Sequence, residues 1–422
     1  MSEHKPLAAE NDRVTARSLP PGWAPSRPAQ DAAVIKDDAD AIETAHRLAP
    51  VFAEGAIARD RSRHYPLAEI DIFSQSGLWG ITIPKENGGA GVSQTTVAKV
   101  FATLAAADPS LSQLAQNHFE IVDVIRSTAS LEQKNELFGA ILSGYRLGNA
   151  FSESSGKNVE DFSTRLTQDG ANYRINGKKF YSTGALFAHL VPIVALNEEG
   201  HVVVAIADRD SQGLTVVDDW SGIGQRTTAS GTVTLDNVAI PATRVLPAHI
   251  VYEQPSAAGP QSQLIHAAID LGIAKGAIEA TLDFVRKRAR PWIDSGQEAA
   301  TQDPFTLRDI GDLEIRFDAA DALLERAAHQ LDATLRNTNE DTIALAKVAV
   351  AEAKVLTTDI AILAANKLIE LGGSRATLEA NGFDRYWRDA RTHTVHDPVR
   401  WKAFAVGQYY LNGVNPPLHS WI

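Results

Sequence analysis

The chain has 422 residues, enough for two to four domains at ~150 residues each. It is 44% hydrophobic and 22% charged, a globular composition, and its net charge of −12 argues against nucleic-acid binding and against a basic membrane-surface role. There is no Cys and Met1 is the only Met, which excludes disulfides, thiolate metal sites and a cysteine nucleophile.

Methionine is a useful gap-filler in cores. Its near-absence points to a protein made when sulfur is scarce. The first residues carry no apolar signal-peptide region, and no apolar run approaches the ~18 residues of a membrane span, so the expected location is cytoplasmic.

Residues 1–30 are rich in Pro, Ala and Ser without periodicity and predict a mobile arm. Residues 31–147 predict an N-terminal helical domain. Its helical stretches run to Phe52, over 70–78 and over 96–107, with a Gly/Pro-punctuated loop at 81–89. Asp108-Pro109-Ser110 restarts the chain for a helix carrying Asn117 and His118.

Residues 148–255 predict a middle β-domain, an antiparallel barrel or sandwich. Asp169-Gly170 and Asn176-Gly177 are dipeptides of the kind that close hairpins. Around them, 173–175, 179–182, 201–207, 214–217 and 232–240 have strand composition. Residues 256–422 predict a bundle of four or five long helices. Leu313, Phe317, Ala320, Leu324, Ala328, Leu331 and Leu335 fall at helical spacing, and Leu356, Ile360, Ala364, Leu368 and Leu371 repeat the pattern up to Gly372-Gly373.

Near the C-terminus His393, His396 and Asp397 stand at i, i+3 and i+4, one face of a helix. Pro398 disfavours a helical Asp397, so the cluster belongs at a helix end, a good edge for a pocket. The plain alternative is a solvated, salt-bridged helix end.

Five short motifs stand in order: Phe151-Ser152-Glu153-Ser154-Ser155-Gly156, Asn176 to Ala185, Asp219 to Gly231, Leu371-Gly372-Gly373 and Arg388-Asp389-Ala390-Arg391. Together they resemble the acyl-CoA dehydrogenase superfamily from about Asp31 to the C-terminus. The resemblance implies an α+β fold: an N-terminal helical domain, a middle β-domain and a C-terminal four-helix bundle. It also implies a flavin between the last two domains and a homotetramer.

The departures are specific. The glutamate base that some members carry just beyond Arg-Asp-Ala-Arg is missing; the chain reads Thr392-His393-Thr394-Val395-His396-Asp397-Pro398. The Gly-Ser-Asp that helps hold acyl-CoA is replaced by Gly156-Lys157-Asn158, and the Gln that helps hold the distal half of FAD is absent before Gly372. These changes resemble the flavin monooxygenase branch, the dibenzothiophene monooxygenases and the sulfur-acquisition oxidoreductases linked to dimethyl sulfone. That branch carries Arg-Thr-His-x-x-His-Asp-Pro, here Arg391 to Pro398, with Ala289-Arg290-Pro291-Trp292 and Gly382 to Arg388.

The branch implies FMN, used as FMNH2, rather than FAD. It also implies O2 as co-substrate, a small organosulfur substrate (a sulfone, sulfide or sulfonate), a flavin C4a-hydroperoxide and a separate NAD(P)H-dependent flavin reductase. The sequence has no dinucleotide-binding Gly-x-Gly-x-x-Gly after a strand. No metal is expected.

His396 is the expected proton donor, oriented by Asp397, since an imidazole titrates near neutrality. His393 faces the same side, next to the cofactor, and His118 matches a pocket histidine of the branch. The resemblance places Asn149, Ser152, Ser182 and Thr183 along the flavin ring; for Trp220 two places are open, the pocket wall or the core. Arg290 and Arg375 are expected at the FMN phosphate, which guanidinium binds in a two-pronged way. Two other readings fit the same residues less well: an FAD-dependent acyl-CoA dehydrogenase with an unusual base, and a flavin-binding protein without catalysis.

Overall fold

The computed structural model describes residues 19–20 and 22–422. Most of the expected mobile arm, residues 1–18 and Pro21, lies outside the described residues. The part that is described is pinned. Arg209 donates to the Trp23 carbonyl at 2.9 Å, and His189 Nε2 bonds the Ser26 carbonyl at 3.0 Å.

Helices α1 (Asp38–Ala53), α2 (Ala56–Ser62), α3 (Leu67–Gln75), α4 (Gln94–Ala107), α5 (Pro109–Thr128) and α6 (Leu131–Leu142) form the first layer. Local chemistry sets their starts. Ser93 caps α4 by accepting from the Thr96 N–H, and Asp108 caps α5 through Ser110 and Leu111, with Pro109 at the first helical position. Ser130 and Gln133 close a capping box on α6. Phe52, Phe73 and Trp79 stack edge to face in the core, with centroids 5.4 Å apart in each pair.

A seven-stranded sheet follows: β1 (Arg165–Asp169), β2 (Asn172–Lys179), β3 (Leu190–Leu196), β4 (Val202–Asp208), β5 (Leu214–Val217), β6 (Thr232–Ile240) and β7 (Val245–Leu246). Their order is β5-β6-β2-β1-β3-β4-β7. The sheet is not wholly antiparallel, because β1 and β3 pair in parallel. Asp169-Gly170 closes the β1–β2 hairpin, but Asn176-Gly177 closes none. It lies inside β2, where the register to β6 shifts between Ile175 and Gly177. A Cβ on Gly177 would lie 2.3 Å from Thr164 Oγ1, so this glycine serves a close approach and not a turn. Strand β3, apolar along its length and buried up to Leu196, gives no alternation to read from sequence.

The chain then returns to helices: α7 (His249–Glu253), α8 (Ala258–Lys287), α9 (Pro304–Arg336), α10 (Glu340–Gly372), α11 (Asp384–His393) and α12 (Arg400–Asn412). The bundle is thus three helices of 30 to 33 residues and two of 10 and 13, not four or five long ones. Gly373, with φ 64°, ends α10. No helix among the described residues is long and apolar enough to cross a membrane.

Helix α5 ties the layers together. Leu111, Leu114 and Phe119 join the helical core. Ile121, Val122 and Ile125 join a second core with Leu190, Val204 and Ile206 of the sheet. That leaves Gln113, Gln116 and Glu120, at i, i+3 and i+7, as a polar row. This row meets the N-terminal part of α8, where Gln116 and Glu120 bond Ser262.

Candidate active site

Helix α8 is mostly buried, yet it carries Ser262, His266 and Asp270 at successive i, i+4 positions, hence on one face. Asp270 is fully buried. Its Oδ2 accepts from Lys354 Nζ at 2.6 Å and from Thr358 Oγ1 at 3.0 Å. Its Oδ1 accepts from His393 Nδ1 at 2.5 Å. Burial alone would raise the Asp270 pKa; the charges of Lys354 and His393 outweigh it and hold the group below the usual carboxylate range.

A carboxylate only accepts, so Nδ1 of His393 carries the proton toward Asp270. Its Nε2 lies 3.1 Å from His266 Nδ1 and 3.1 Å from the Gln113 amide oxygen. Both nitrogens are engaged within the protein, and burial lowers the His393 pKa. The sequence reading put His393 beside the cofactor; the structure makes it the hub of a buried network.

Helix α11 stops at His393, and the next residues turn toward α12. His396 lies on that turn with its Nδ1 3.2 Å from Asp397 Oδ1. Its side chain is 42% exposed, against 1% for His393. Its ring centroid is 4.3 Å from that of His266. With Nδ1 tied to Asp397, Nε2 is the nitrogen left to face a reactant. The surrounding protein pushes the His396 pKa down, but the Asp397 charge and hydrogen bond prevail and raise it. Asp397 is held far below its usual value: burial opposes ionisation, and His396 with Lys402 more than compensates. Lys402 in turn donates to Gln263 Oε1 at 2.9 Å and to the Trp421 carbonyl.

His118 is not part of this cluster. It is fully buried, its Nδ1 accepts from the Leu147 N–H at 3.2 Å, and its Nε2 bonds the Trp79 carbonyl at 2.9 Å. Burial takes its pKa down to about 3. It is a core histidine holding α5 to two loops.

The sheet supplies the other wall. Phe180 N–H bonds the Ser152 carbonyl at 2.9 Å, which brings the 148–152 and 180–183 segments side by side. Ser182 buries a hydroxyl that has no partner among the described residues. Thr183 Oγ1 bonds Ser230 Oγ at 2.8 Å, and Asn149 Oδ1 accepts from the Phe151 N–H at 3.0 Å. Three of the five non-glycine residues with positive φ lie here: Tyr181 (56°), Gln225 (46°) and Ala229 (48°). Such backbone strain, ~1–3 kcal/mol per residue, collects at ligand sites.

The 219–231 loop is locked onto α11. Gln225 N–H bonds Asp389 Oδ1 at 2.6 Å and Gly224 N–H bonds Thr392 Oγ1 at 3.0 Å. Burial and the Asp60 charge push Asp389 up to about 7. Trp220 turns its Nε1–H to the Gln225 carbonyl at 2.9 Å. The sheet wall and the histidine cluster meet at α5, since Leu114 approaches Gly184 next to Thr183 and the adjacent Gln113 reaches His393.

Arg290 and Arg375 are both exposed. Arg375 donates to the Arg288 carbonyl at 3.2 Å, so the two arginines share one surface past the end of α8. An orphaned buried hydroxyl, strained loops beside it and two exposed guanidinium groups suit a polar-edged ring with a phosphate tail. Sequence reasoning missed Gln113, His266, Asp270, Lys354 and Lys402. The available signal was the 262/266/270 polar row at i, i+4 spacing in the buried first half of α8, matched by the 113/116/120 row on α5.

Fold and site define the acyl-CoA dehydrogenase type of chain. The N-terminal, middle and C-terminal domain models of acyl-CoA dehydrogenase match residues 40–145, 150–238 and 264–401. The dibenzothiophene monooxygenase of Rhodococcus erythropolis is 35% identical over 398 residues, covering 90% of this chain and 95% of that one. The probable FMNH2-dependent monooxygenase SfnC of Pseudomonas putida is 31% identical over 385 residues, covering 89% and 96%. The FMN-bound TdsC structure from Paenibacillus sp. A11-2 superposes with a TM-score of 0.86 at 33% identity, covering 90% of this chain and 100% of that one. The chain belongs to the flavin-dependent monooxygenase branch of the acyl-CoA dehydrogenase superfamily.

Proposed function

We propose that this protein is the oxygenase of a two-component system: it takes FMNH2 from a separate NAD(P)H-dependent flavin reductase and inserts one atom of O2 into a small organosulfur compound, for sulfur acquisition. The observation that carries the reading is His396, fixed by Asp397 through Nδ1 and with its side chain partly exposed, in the segment where relatives keep a carboxylate base. Bound FMNH2 would supply the activation of O2. Asn149, Ser152, Ser182 and Thr183 would hold its ring edge, and Arg290 with Arg375 its phosphate. His396 would give a proton to the reacting oxygen, and the closed wall around His393 and Asp270 would keep water away from that step.

The activities of the relatives support FMN and an organosulfur substrate. The near-absence of sulfur from the chain supports use under sulfur limitation. Exposed Trp401, Phe404, Tyr410 and Leu411 on α12 support assembly into a homotetramer. A cytoplasmic setting goes with a reductase as partner.

One observation favours a second reading. Glu120 is a carboxyl group near His396, and an acyl-CoA dehydrogenase would use it to abstract an α-proton. One assay separates the two. Purified protein is given chemically reduced FMN, O2 and a panel of sulfides, sulfones and sulfonates, and separately acyl-CoA with FAD and an artificial electron acceptor. Oxygenated product is expected in the first arm; acceptor reduction without oxygenation refutes the monooxygenase reading, and neither leaves a flavin-binding protein.

A further inference from the structure

The buried network contains three carboxyl groups near His396, and their partners sort them. Asp397 bonds His396 and lies beside Lys402, so it stays ionised. Asp123 is paired with Arg126 at 3.1 Å and bonded by Gln261 at 3.1 Å. Glu120 has no cation of its own among the described residues. Its Oε2 accepts from Ser262 Oγ at 3.2 Å, and Gln116 Nε2 donates to the same Oγ at 2.8 Å.

Ser262 lies one helical turn from His266 on α8, and the His396 ring lies against His266, tilted by 36° with centroids 4.3 Å apart. Ser262 thus ties Glu120 to the turn of α8 that leads to His266, and Glu120 and His396 lie close enough for their charges to act on each other. It keeps part of its surface in solvent, whereas His266 and His393 are sealed.

We propose that Glu120 is the proton-exchange partner of His396, the group that restores the imidazole proton after each turnover. The turnover part rests on the monooxygenase reading above. When His396 gives its Nε2 proton to the reacting oxygen, one N–H bond breaks. The Glu120 carboxyl then gives its O–H proton to a solvent water between the two side chains, and that water passes one of its own protons to His396, where the new N–H bond forms. The carboxylate takes a proton back from solvent, so one proton has moved inward and no electrons have moved. Glu120 acts through His396 and is a positioning residue for its proton.

The surroundings suit a group that titrates in the working range. Ser262 and His266 face Glu120 from α8, His396 and Asp397 from the turn before α12, with Lys402 behind them, and Asp123 with Arg126 from its own helix. Burial pushes Glu120 up to about 6; the Ser262 hydrogen bond and His396 oppose the rise, and Asp397 and Asp123 add to it. A carboxyl group near 6 can both hold and release a proton where an imidazole does.

The first test needs no cofactor. In histidine-labelled apoprotein the His396 imidazole, identified with His396→Asn, is followed by NMR from pH 4.5 to 9. In the wild type its shift is expected to show a second inflection near pH 6. In Glu120→Gln that inflection disappears and the His396 midpoint falls, because a neighbouring negative charge is gone. Identical titrations in the two proteins would overturn the proposal.

The second test is turnover with FMNH2 and O2. Glu120→Gln is expected to lose about tenfold or more in kcat, within the usual range for general acid–base groups. The fall in rate as pH rises through about 6, where the wild-type carboxyl loses the proton it must donate, should go with it, while Glu120→Asp recovers both. A rise in KM with kcat unchanged would make Glu120 a substrate-binding group and refute the relay. No oxygenated product from the wild type would instead remove the monooxygenase reading, with the NMR result standing by itself. Acyl-CoA-dependent acceptor reduction that Glu120→Gln abolishes would assign the carboxylate to carbon chemistry and overturn the proposal.

Discussion

Asp270→Asn tests the centre of the network. Asp270 and Lys354 are 0% and 1% exposed, with Nζ and Oδ2 2.6 Å apart. Substituting an amide keeps the shape and removes the charge, which strands a buried ammonium group. Removing one partner of such a pair typically costs about 3–5 kcal/mol. Against a total stability on the order of 5–15 kcal/mol, that is a large fraction. The loss should be read locally, by hydrogen exchange at α8 amides together with urea unfolding, since separate domains do not unfold as one.

The Asp270 pKa is depressed in the fold, so its contribution is complete above the unfolded value of ~3.9 and is lost only as pH falls toward the folded one. The deficit of Asp270→Asn should therefore be the same at pH 8 and pH 5. Lys354→Met removes the stranded charge, so the double variant should be at least ~2 kcal/mol more stable than the sum of the single losses. A single variant within about 1 kcal/mol of wild type, judged against that ~3–5 kcal/mol scale, or a double variant that is simply additive, would refute the assignment of Asp270 as the charge that balances Lys354.

Three further outcomes follow from other parts of the molecule. His118 has a folded pKa of about 3 against ~6.5 unfolded, so its contribution is full above 6.5 and falls by ~1.4 kcal/mol per pH unit below; His118→Gln should flatten the urea-midpoint decline between pH 6.5 and 5 by about 2 kcal/mol. His396→Ala should lower product yield and raise H2O2 release while FMN affinity, measured by fluorescence quenching, stays within about threefold; coupled turnover at the wild-type level would remove His396 from the chemistry. Gly224→Ala would set a Cβ 1.9 Å from the Arg388 carbonyl, so the loop must leave α11; proteolysis within 219–231 should accelerate, and unchanged cleavage would show that the contact is not needed.

Much of this was legible because several elements announce themselves locally. The α5, α9 and α10 starts carry Asp108-Pro109, Asp303-Pro304 and Asn339 caps, and Gly373 ends α10. The His396–Asp397 pair was readable because both residues sit in one short segment. Strand β3 was missed because a strand buried on both faces has no alternation. Asn176-Gly177 misled because a turn-forming dipeptide also suits a bulge, and only the approach of Thr164 distinguishes them. His118 was misplaced because a histidine on a buried helix looks the same whether its nitrogens meet a ligand or two backbone groups. Asp270 and Lys354 are 84 residues apart, and no local pattern joins them.

The same contrast bears on how chemistry changes on a shared scaffold. Relatives with a C-terminal glutamate place a charge where it can pull a proton from carbon. Here that segment carries two imidazoles, and each is tied to its own carboxylate, His393 to Asp270 and His396 to Asp397. One pair is sealed and neutralised in part by Lys354; the other is open. The sealed pair fixes geometry, because both nitrogens of His393 are engaged by buried groups of the protein. The open pair can exchange a proton, and the acid able to replenish it comes from α5, a helix that belongs to the N-terminal layer. In this chain the altered segment thus works together with a polar row on α5 and another on α8 that meet, and replacing Gln113, Ser262 or His266 by apolar residues should break the site while the three-layer fold persists.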